Sequence, residues 1–317
     1  MQKDRAQAMP GRLPTVPYEG HPLYGTRKSG LGERLFALVR VFEFTFYVIG
    51  VRFWQLLQRR SERRGSVSRE LENDGLLPLR LTALARDELK RTSDKYFAQL
   101  ERTRDHVGRG KRTYGDNQLD LRSAEAPELY RVFHSILEQT GVLEGIRRHL
   151  GCRAEICSIT IQINDEWDTF WREHFQDRHM AIPKTAFFHV DNTYGVVKAI
   201  AYISHVGREN GPFSYVPGTH RIKVGWLESL ILRATDIWLD VHPAERYLFA
   251  GLPKCLRKKA KFGDDISDDS DWGRWLLDHE RTMTSAEGDL FIFDVGGIHR
   301  GGMVSKGERR IMQVMIR

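Results

Sequence analysis

Cysteine is scarce in this chain: three among 317 residues, at Cys152, Cys157 and Cys255. They form no Cys-x-x-Cys pair, which excludes a disulfide-stapled secreted module and a zinc ribbon and fits a reducing compartment. Cys152 and Cys157 are expected as buried free thiols. Long apolar runs are missing too. The most apolar stretch, Leu35 to Leu57, is interrupted by Arg40, Glu43 and Arg52, and its longest uncharged run is Phe44 to Val51. A bilayer-spanning helix needs roughly 20 mainly apolar residues, so no span is expected. No small-residue cleavage site follows the stretch, which argues against a cleavable signal. The expected location is cytoplasmic, with any membrane contact peripheral.

What is present is an ordinary globular composition, 41% hydrophobic and 29% charged, with a net charge of +7. Bulk disorder is excluded. A basic balance suits nucleic acid or an anionic membrane, but no aromatic-interleaved RNA-binding signature accompanies it, so nucleic acid is the weaker partner. The excess is uneven: Arg59, Arg60, Arg63, Arg64 and Arg69 share one short stretch. Residues 1 to about 32 are punctuated by proline and glycine without periodicity and read as an irregular arm. On a helical wheel, the polar positions of 35–57 leave an apolar arc of roughly 140°. This helix either packs on the protein's own core or lies on lipid, aided by the arginines after it. Residues 1–64 are thus read as an extension and 65–317 as the main domain.

Within that domain Asp74-Gly75 marks a turn, followed by a short strand and a helix. Residues 87–104 and 126–150 have helical spacing, with breaks at Gly141 and Gly151. Alternation from Glu155 to Ile163 predicts a strand, and further strands are expected at 186–190, 197–204, 213–217, 289–294 and 309–316. Asn210-Gly211-Pro212, Pro217-Gly218 and Gly296-Gly297 supply turns between them. Helices first and short strands after predict a mainly β fold with helical support (α+β), a sandwich or barrel core. An insert at about 222–287 carries a basic run (Arg257, Lys258, Lys259, Lys261) and an acidic one (Asp264, Asp265, Asp268, Asp269, Asp271), both read as solvated loop.

The chemistry-bearing residues are His189 and Asp191 in Phe188-His189-Val190-Asp191, together with His299. Two imidazoles and a carboxylate match the facial set that binds non-haem Fe(II) and leaves its other positions open. His189 and Asp191, two apart on an extended segment, project to one side and can reach one ion. Among 12 histidines a chance His-x-Asp is expected about once, so the tripeptide alone is weak.

Its company is specific. An apolar strand and the Asn210-Gly211-Pro212 turn lead to Pro217-Gly218-Thr219-His220. Then come Gly288-Asp289-Leu290-Phe291-Ile292-Phe293, His299, and Gly307-Glu308-Arg309-Arg310-Ile311. These residues resemble the phytanoyl-CoA dioxygenase family of Fe(II)/2-oxoglutarate oxygenases. The resemblance covers roughly 66–317 and is dense over 187–221 and 288–311. It implies a double-stranded β-helix (jelly-roll, cupin-like) core with His189, Asp191 and His299 as iron ligands. It also implies an arginine that grips the distal carboxylate of 2-oxoglutarate, a planar bidentate match that lysine cannot reproduce. Arg309 fits the motif text and Arg310 the commoner spacing from His299. They face opposite sides of a strand, so one serves, and Arg309 is favoured. Gln162 and Asn164, polar within a strand, stand where related enzymes touch the co-substrate. Thr219 and His220 are expected to be structural corner residues.

The resemblance implies that 2-oxoglutarate and dioxygen are consumed in hydroxylating a C–H bond of a small-molecule substrate, and the aromatic N-terminal stretch points to a lipid-like or membrane-presented one. Halogenating relatives carry a small residue at the carboxylate position, whereas Asp191 is kept here. Substrate would be read by 165–186 and by the insert. The alternative, from another class, is a catalytically silent jelly roll that serves as a binding or scaffold protein at a membrane surface through residues 35–64.

Overall fold

The computed structural model describes residues 66–167, 195–221 and 268–317 apart from single positions, parts of 182–191, and single helical positions between 31 and 53. The irregular arm up to residue 30, Cys152, Cys255, most of 165–186 and the insert from 222 to 267 with its basic run lie outside the described residues. Two compact units divide the chain. One gathers Met1–Thr45, Pro183–Asn192 and Lys223–Glu280, and the larger one gathers Phe46–Ile182, Thr193–Ile222 and Arg281–Arg317.

In the larger unit, helix α1 (Ser66–Asp74) ends where Gly75 adopts φ 70° and turns the chain into β1 (Leu76–Arg80). Only glycine fits this turn: a Cβ on Gly75 would lie 2.3 Å from the Tyr215 hydroxyl, on top of the left-handed backbone that L-residues avoid. Helix α2 (Ala83–Val107) starts at Thr82, whose side chain accepts from the Ala85 N–H, a common N-terminal cap. After β2 (Gln118–Leu121), α3 (Pro127–Gln139) and α4 (Val142–Leu150) are separated at Gly141 and closed at Gly151, both left-handed. The strands that follow are β3 (Ile156–Asp165), β4 (Val197–Tyr202) and β5 (Ser214–Tyr215), then β6 (Arg281–Thr282), β7 (Asp289–Asp294), β8 (His299–Arg300) and β9 (Glu308–Ile316).

Among the described residues these make a six-stranded sheet ordered β1-β7-β4-β9-β3-β2 and a three-stranded sheet ordered β6-β5-β8. Every pairing is antiparallel. Pro78 lies in β1, an edge strand, where a missing N–H is tolerated. Period-2 alternation assigns each strand two faces. Ile159, Ile161, Ile163, Ala199, Ala201, Leu290, Ile292, Met312 and Val314 join the helices in one core cluster. Ile200, Tyr202, Phe291, Phe293 and Ile311 join Phe213 and Tyr215 in a second core, between the two sheets. Burying each fully enclosed isoleucine or leucine contributes roughly 2 kcal/mol. The result is the jelly-roll core with helices on the outer face of its larger sheet.

Most expected elements are observed within a residue or two. Helix α1, strand β2 and the short strands β6 and β8 were not anticipated. Of the expected strand at 186–190, His189 holds a single β-bridge position. Cys157 is free, as expected, but exposed rather than buried. The pairing of β3 with β9 is irregular between Ile156 and Ser158, and Cys157 occupies that irregularity. In the smaller unit, α5 (Asp271–His279) stacks the His279 ring on Trp275, 4.4 Å between centroids.

Candidate metal and co-substrate site

In the smaller unit, His189 and Asp191 are two residues apart, with Nε2 of the histidine 3.6 Å from Oδ1 of the aspartate. The lead-in to this segment is anchored by Asp268. Its carboxylate accepts from the backbone N–H groups of Lys184 and Thr185, each at 2.8 Å, and from the Thr185 hydroxyl at 2.7 Å. Burial pushes the Asp268 carboxyl up, but these donors outweigh it and hold the group below the usual carboxylate range. The Phe188 N–H then donates to the Thr185 carbonyl, and both residues are buried. Asp268 belongs to the acidic run read as solvated loop. A sequence separation of 83 residues left no local signal of its role.

In the larger unit, His299 opens β8 and is buried. Its Nδ1 is 2.8 Å from the Gly297 carbonyl. A carbonyl only accepts, so Nδ1 carries the proton and Nε2 keeps the lone pair that a metal needs. The ring is set by aromatic neighbours: stacked on Tyr215 at 6.3 Å and 17°, with Phe293 at 4.9 Å and Phe213 at 5.9 Å. Tyr215 donates to the Asp294 carbonyl. Gly297 runs so close beneath it that a Cβ there would be 1.8 Å from the tyrosine oxygen. Thr219 and His220 hold the corner, as expected. The Thr219 hydroxyl donates to the Val216 carbonyl and accepts from the Ile298 N–H, and His220 Nε2 is 3.2 Å from the Glu72 carbonyl.

Asn164 and Arg309 are partners in the β3–β9 register, as are Ile163 and Arg310. Arg309 lies on the face shared with Gln162, Ile311 and the inter-sheet core. It is 6% exposed and donates through Nη2 to Asn164 Oδ1 at 3.0 Å. A Cβ on Gly301, two residues beyond His299, would be 3.8 Å from the same Nη2, so the guanidinium reaches the end of β8. Buried Gln162 accepts from Gln313 at 2.7 Å. Nearby Tyr202 has its phenol pushed up to about 12 by burial, against the opposing charge of Arg309, so it is neutral. Arg310 faces the helices. It donates to Glu101 of α2 at 2.5 Å and to Glu308 at 2.6 Å, with its guanidinium over the Phe97 ring.

One further cluster had no sequence signal because its members are far apart in the chain. Asp165, next to Asn164, accepts from Arg104 at 2.7 Å and Arg112 at 3.0 Å. Both arginines are 5% exposed. Burial lowers the Arg104 pKa despite the charge of Asp165. The cluster clamps the end of β3 onto α2.

Comparison with known proteins bears on this site. The family model described as phytanoyl-CoA dioxygenase matches residues 86–311, more than two thirds of the chain. Among solved structures the chain is similar to AviO1 from Streptomyces viridochromogenes, at 14% identity over 80% of this chain and 94% of that one, with a TM-score of 0.43. It is similar to EctD from S. alaskensis with 2-oxoglutarate and 5-hydroxyectoine, at 13% identity over 81% and 79%, TM-score 0.47. It is also similar to the non-haem alpha-ketoglutarate-dependent carbocyclase SnoK from nogalamycin biosynthesis, at 14% identity over 80% and 84%, TM-score 0.43. No curated protein matches. The chain belongs to the phytanoyl-CoA dioxygenase family, whose members are non-haem oxygenases using iron and 2-oxoglutarate.

Proposed function

We propose that the chain is a hydroxylase in which His189, Asp191 and His299 each give one donor atom to Fe(II). The donor set fits the metal: two imidazoles and one carboxylate suit divalent iron and leave positions for a chelating 2-oxo acid and dioxygen. The observation that carries the reading is the hydrogen bond from His299 Nδ1 to the Gly297 carbonyl. It selects the ring tautomer a ligand requires and orients the ring. Bound iron and 2-oxoglutarate supply the oxidising chemistry, coupling decarboxylation of the 2-oxo acid to oxidation of a substrate C–H bond.

The protein's own residues do the positioning. Arg309, held by Asn164, binds the distal carboxylate of 2-oxoglutarate, and Gln162 lines the same face. The neutral Tyr202 phenol adds no competing negative charge beside Arg309. Retention of the Asp191 carboxylate favours hydroxylation. Residues 65–317 act as the catalytic domain with 1–64 as an extension, and the substrate is a small, lipid-like molecule taken up with peripheral membrane contact through 35–64.

The test is an anaerobic titration of the protein with Fe(II) and 2-oxoglutarate, read by the weak visible charge-transfer band of the chelate. The band should form in the wild type and be lost in His189→Ala and His299→Ala. Asp191→Ala should lose substrate-dependent hydroxylation while remaining folded. No iron binding by the wild type would sink the proposal and leave the silent binding-protein reading.

A further inference from the structure

Between β7 and His299 the chain makes a tight turn that carries two adjacent glycines, Gly296 and Gly297. Glycine leaves the backbone freer than any other residue, yet this turn must aim the Gly297 carbonyl at His299 Nδ1, 2.8 Å away. A side chain cannot stiffen it at Gly297, because a Cβ there would collide with Tyr215. The restraint comes from Asp294. Its Oδ1 accepts from the Gly296 N–H at 2.8 Å, and its carbonyl accepts from the Gly297 N–H at 3.0 Å. That carbonyl also accepts from the Tyr215 hydroxyl at 3.1 Å, and the Asp294 N–H donates to the Gly75 carbonyl at 2.8 Å.

The second carboxylate oxygen reaches out of the sheet. Asp294 alternates with Leu290 and Ile292 on the face of β7 that meets the helices, so its side chain points towards them. Oδ2 stands 2.7 Å from Nε2 of His149, 145 positions earlier in the chain. An ionised carboxylate only accepts, so Nε2 carries the proton. His149 sits in the last turn of α4 between buried Ile146 and Leu150, which fix its backbone in the helical core. The imidazole is 10% exposed and the carboxylate 24%, so water competes little for the bond. Such a pair adds little stability by itself, since desolvating the two groups offsets much of their attraction. What it supplies is direction: it fixes the plane of the carboxylate whose other oxygen holds the glycine turn.

We infer that His149 is a positioning residue for His299, acting through Asp294 and the Gly297 carbonyl to hold the imidazole in the orientation a metal requires. The relay runs from His149 Nε2–H to Asp294, from Asp294 to the Gly296 and Gly297 N–H groups, and from the Gly297 carbonyl to His299 Nδ1–H. It rests on the proposed role of His299 as an iron ligand and carries the support of that ligand back to the helical layer.

The experiment compares the full-length wild type with His149→Leu and His149→Gln. Leucine fills similar space without a donor, whereas glutamine offers an amide N–H near the position of Nε2. Iron affinity is read anaerobically by competition with a chelator, and urea melts record stability separately. His149→Leu should lose about tenfold in iron affinity, and His149→Gln should return to within about threefold of wild type. In metal-free protein with 15N-labelled histidine, the His299 Nδ1–H signal should shift or broaden in His149→Leu and be restored in His149→Gln. Adding His149→Leu to Asp294→Ala should cost no further iron affinity, because the two residues act as one unit. Should His149→Leu fail to fold, His149→Asn, whose amide is too short to reach Asp294, carries the same expectation. Wild-type iron affinity in the variants without a donor, or an equal loss in His149→Gln, would overturn the inference whatever the urea midpoints. A wild type that binds no iron would instead sink the oxygenase reading, and the inference with it.

Discussion

Asn164 and Arg309 stand directly opposite each other on β3 and β9, and Asn164 Oδ1 accepts from Arg309 Nη2 at 3.0 Å. The next register pair, Ile163 and Arg310, points the other way. Two adjacent arginines thereby have separate environments: one beside the end of β8, the other tied to Glu101 and Glu308. Arg309→Ala should weaken 2-oxoglutarate by about thirtyfold or more, the cost of truncating a buried charged partner at about 2 kcal/mol. Arg309→Lys should recover little of that, since an ammonium lacks the bidentate fork. Arg310→Ala should change 2-oxoglutarate affinity by less than about twofold and cost about 1 kcal/mol of stability. The 2-oxoglutarate dependence of the charge-transfer band measures all three; a large affinity loss in Arg310→Ala instead would reverse the assignment.

Asp268 should matter to the iron although it is not expected to touch it. It holds the backbone of Lys184 and Thr185 ahead of His189. Asp268→Ala should lower iron affinity by about tenfold, a size usual for outer partners of metal ligands. Asp269→Ala, in the same acidic run, should have no effect. Competition with a metal chelator provides the readout, and equal affinity in both variants would return the run to a solvated loop.

Gly297 is predicted to be intolerant of a methyl group. Its carbonyl orients His299, and an added Cβ would meet the Tyr215 ring and hydroxyl at 1.8–2.9 Å. Tyr215 is fully buried, so the backbone must shift instead. Gly297→Ala should lower iron affinity by about 10- to 100-fold, with far-UV circular dichroism unchanged. Wild-type affinity in that variant would mean that His299 takes its orientation from elsewhere.

Acid stability should carry the signature of Asp294. Burial pushes this carboxyl up, but the hydrogen bond and charge of His149, the charge of His220 and the Gly296 N–H outweigh it and hold the pKa at about 2. His149 Nε2 is 2.7 Å from Asp294 Oδ2. A folded pKa below the unfolded value gives stability that is complete above the unfolded pKa and is lost as pH falls through the folded one. The contribution, roughly 2 kcal/mol, should therefore be present above about pH 4 and disappear towards about pH 2. Urea melts of wild type and Asp294→Asn should differ at neutral pH and converge through that window. A constant difference would show that Asp294 contributes through packing rather than ionisation.

Much of this protein is local enough to be read along the chain. Alternation marked β3, and β4, β7 and β9 were legible as short apolar segments, because one face of each strand meets the helices and the other the inter-sheet core. Gly75, Gly141 and Gly151 marked turns because their backbone is left-handed. The proposed donor residues His189, Asp191 and His299 were legible as residue types in a spaced pattern, since iron chemistry limits which side chains serve. Other features depend on contacts that sequence distance hides. Asp268 meets Thr185 across 83 positions and Arg104 meets Asp165 across 61. The short strands β6 and β8 contain two residues each, too few for a periodic signal. Arg309 and Arg310 show the division most clearly: sequence determined that a strand would separate them, because side chains alternate. Only the tertiary structure decided which face met Asn164 and which met Glu101, because that depends on which layer packs on each side of the sheet.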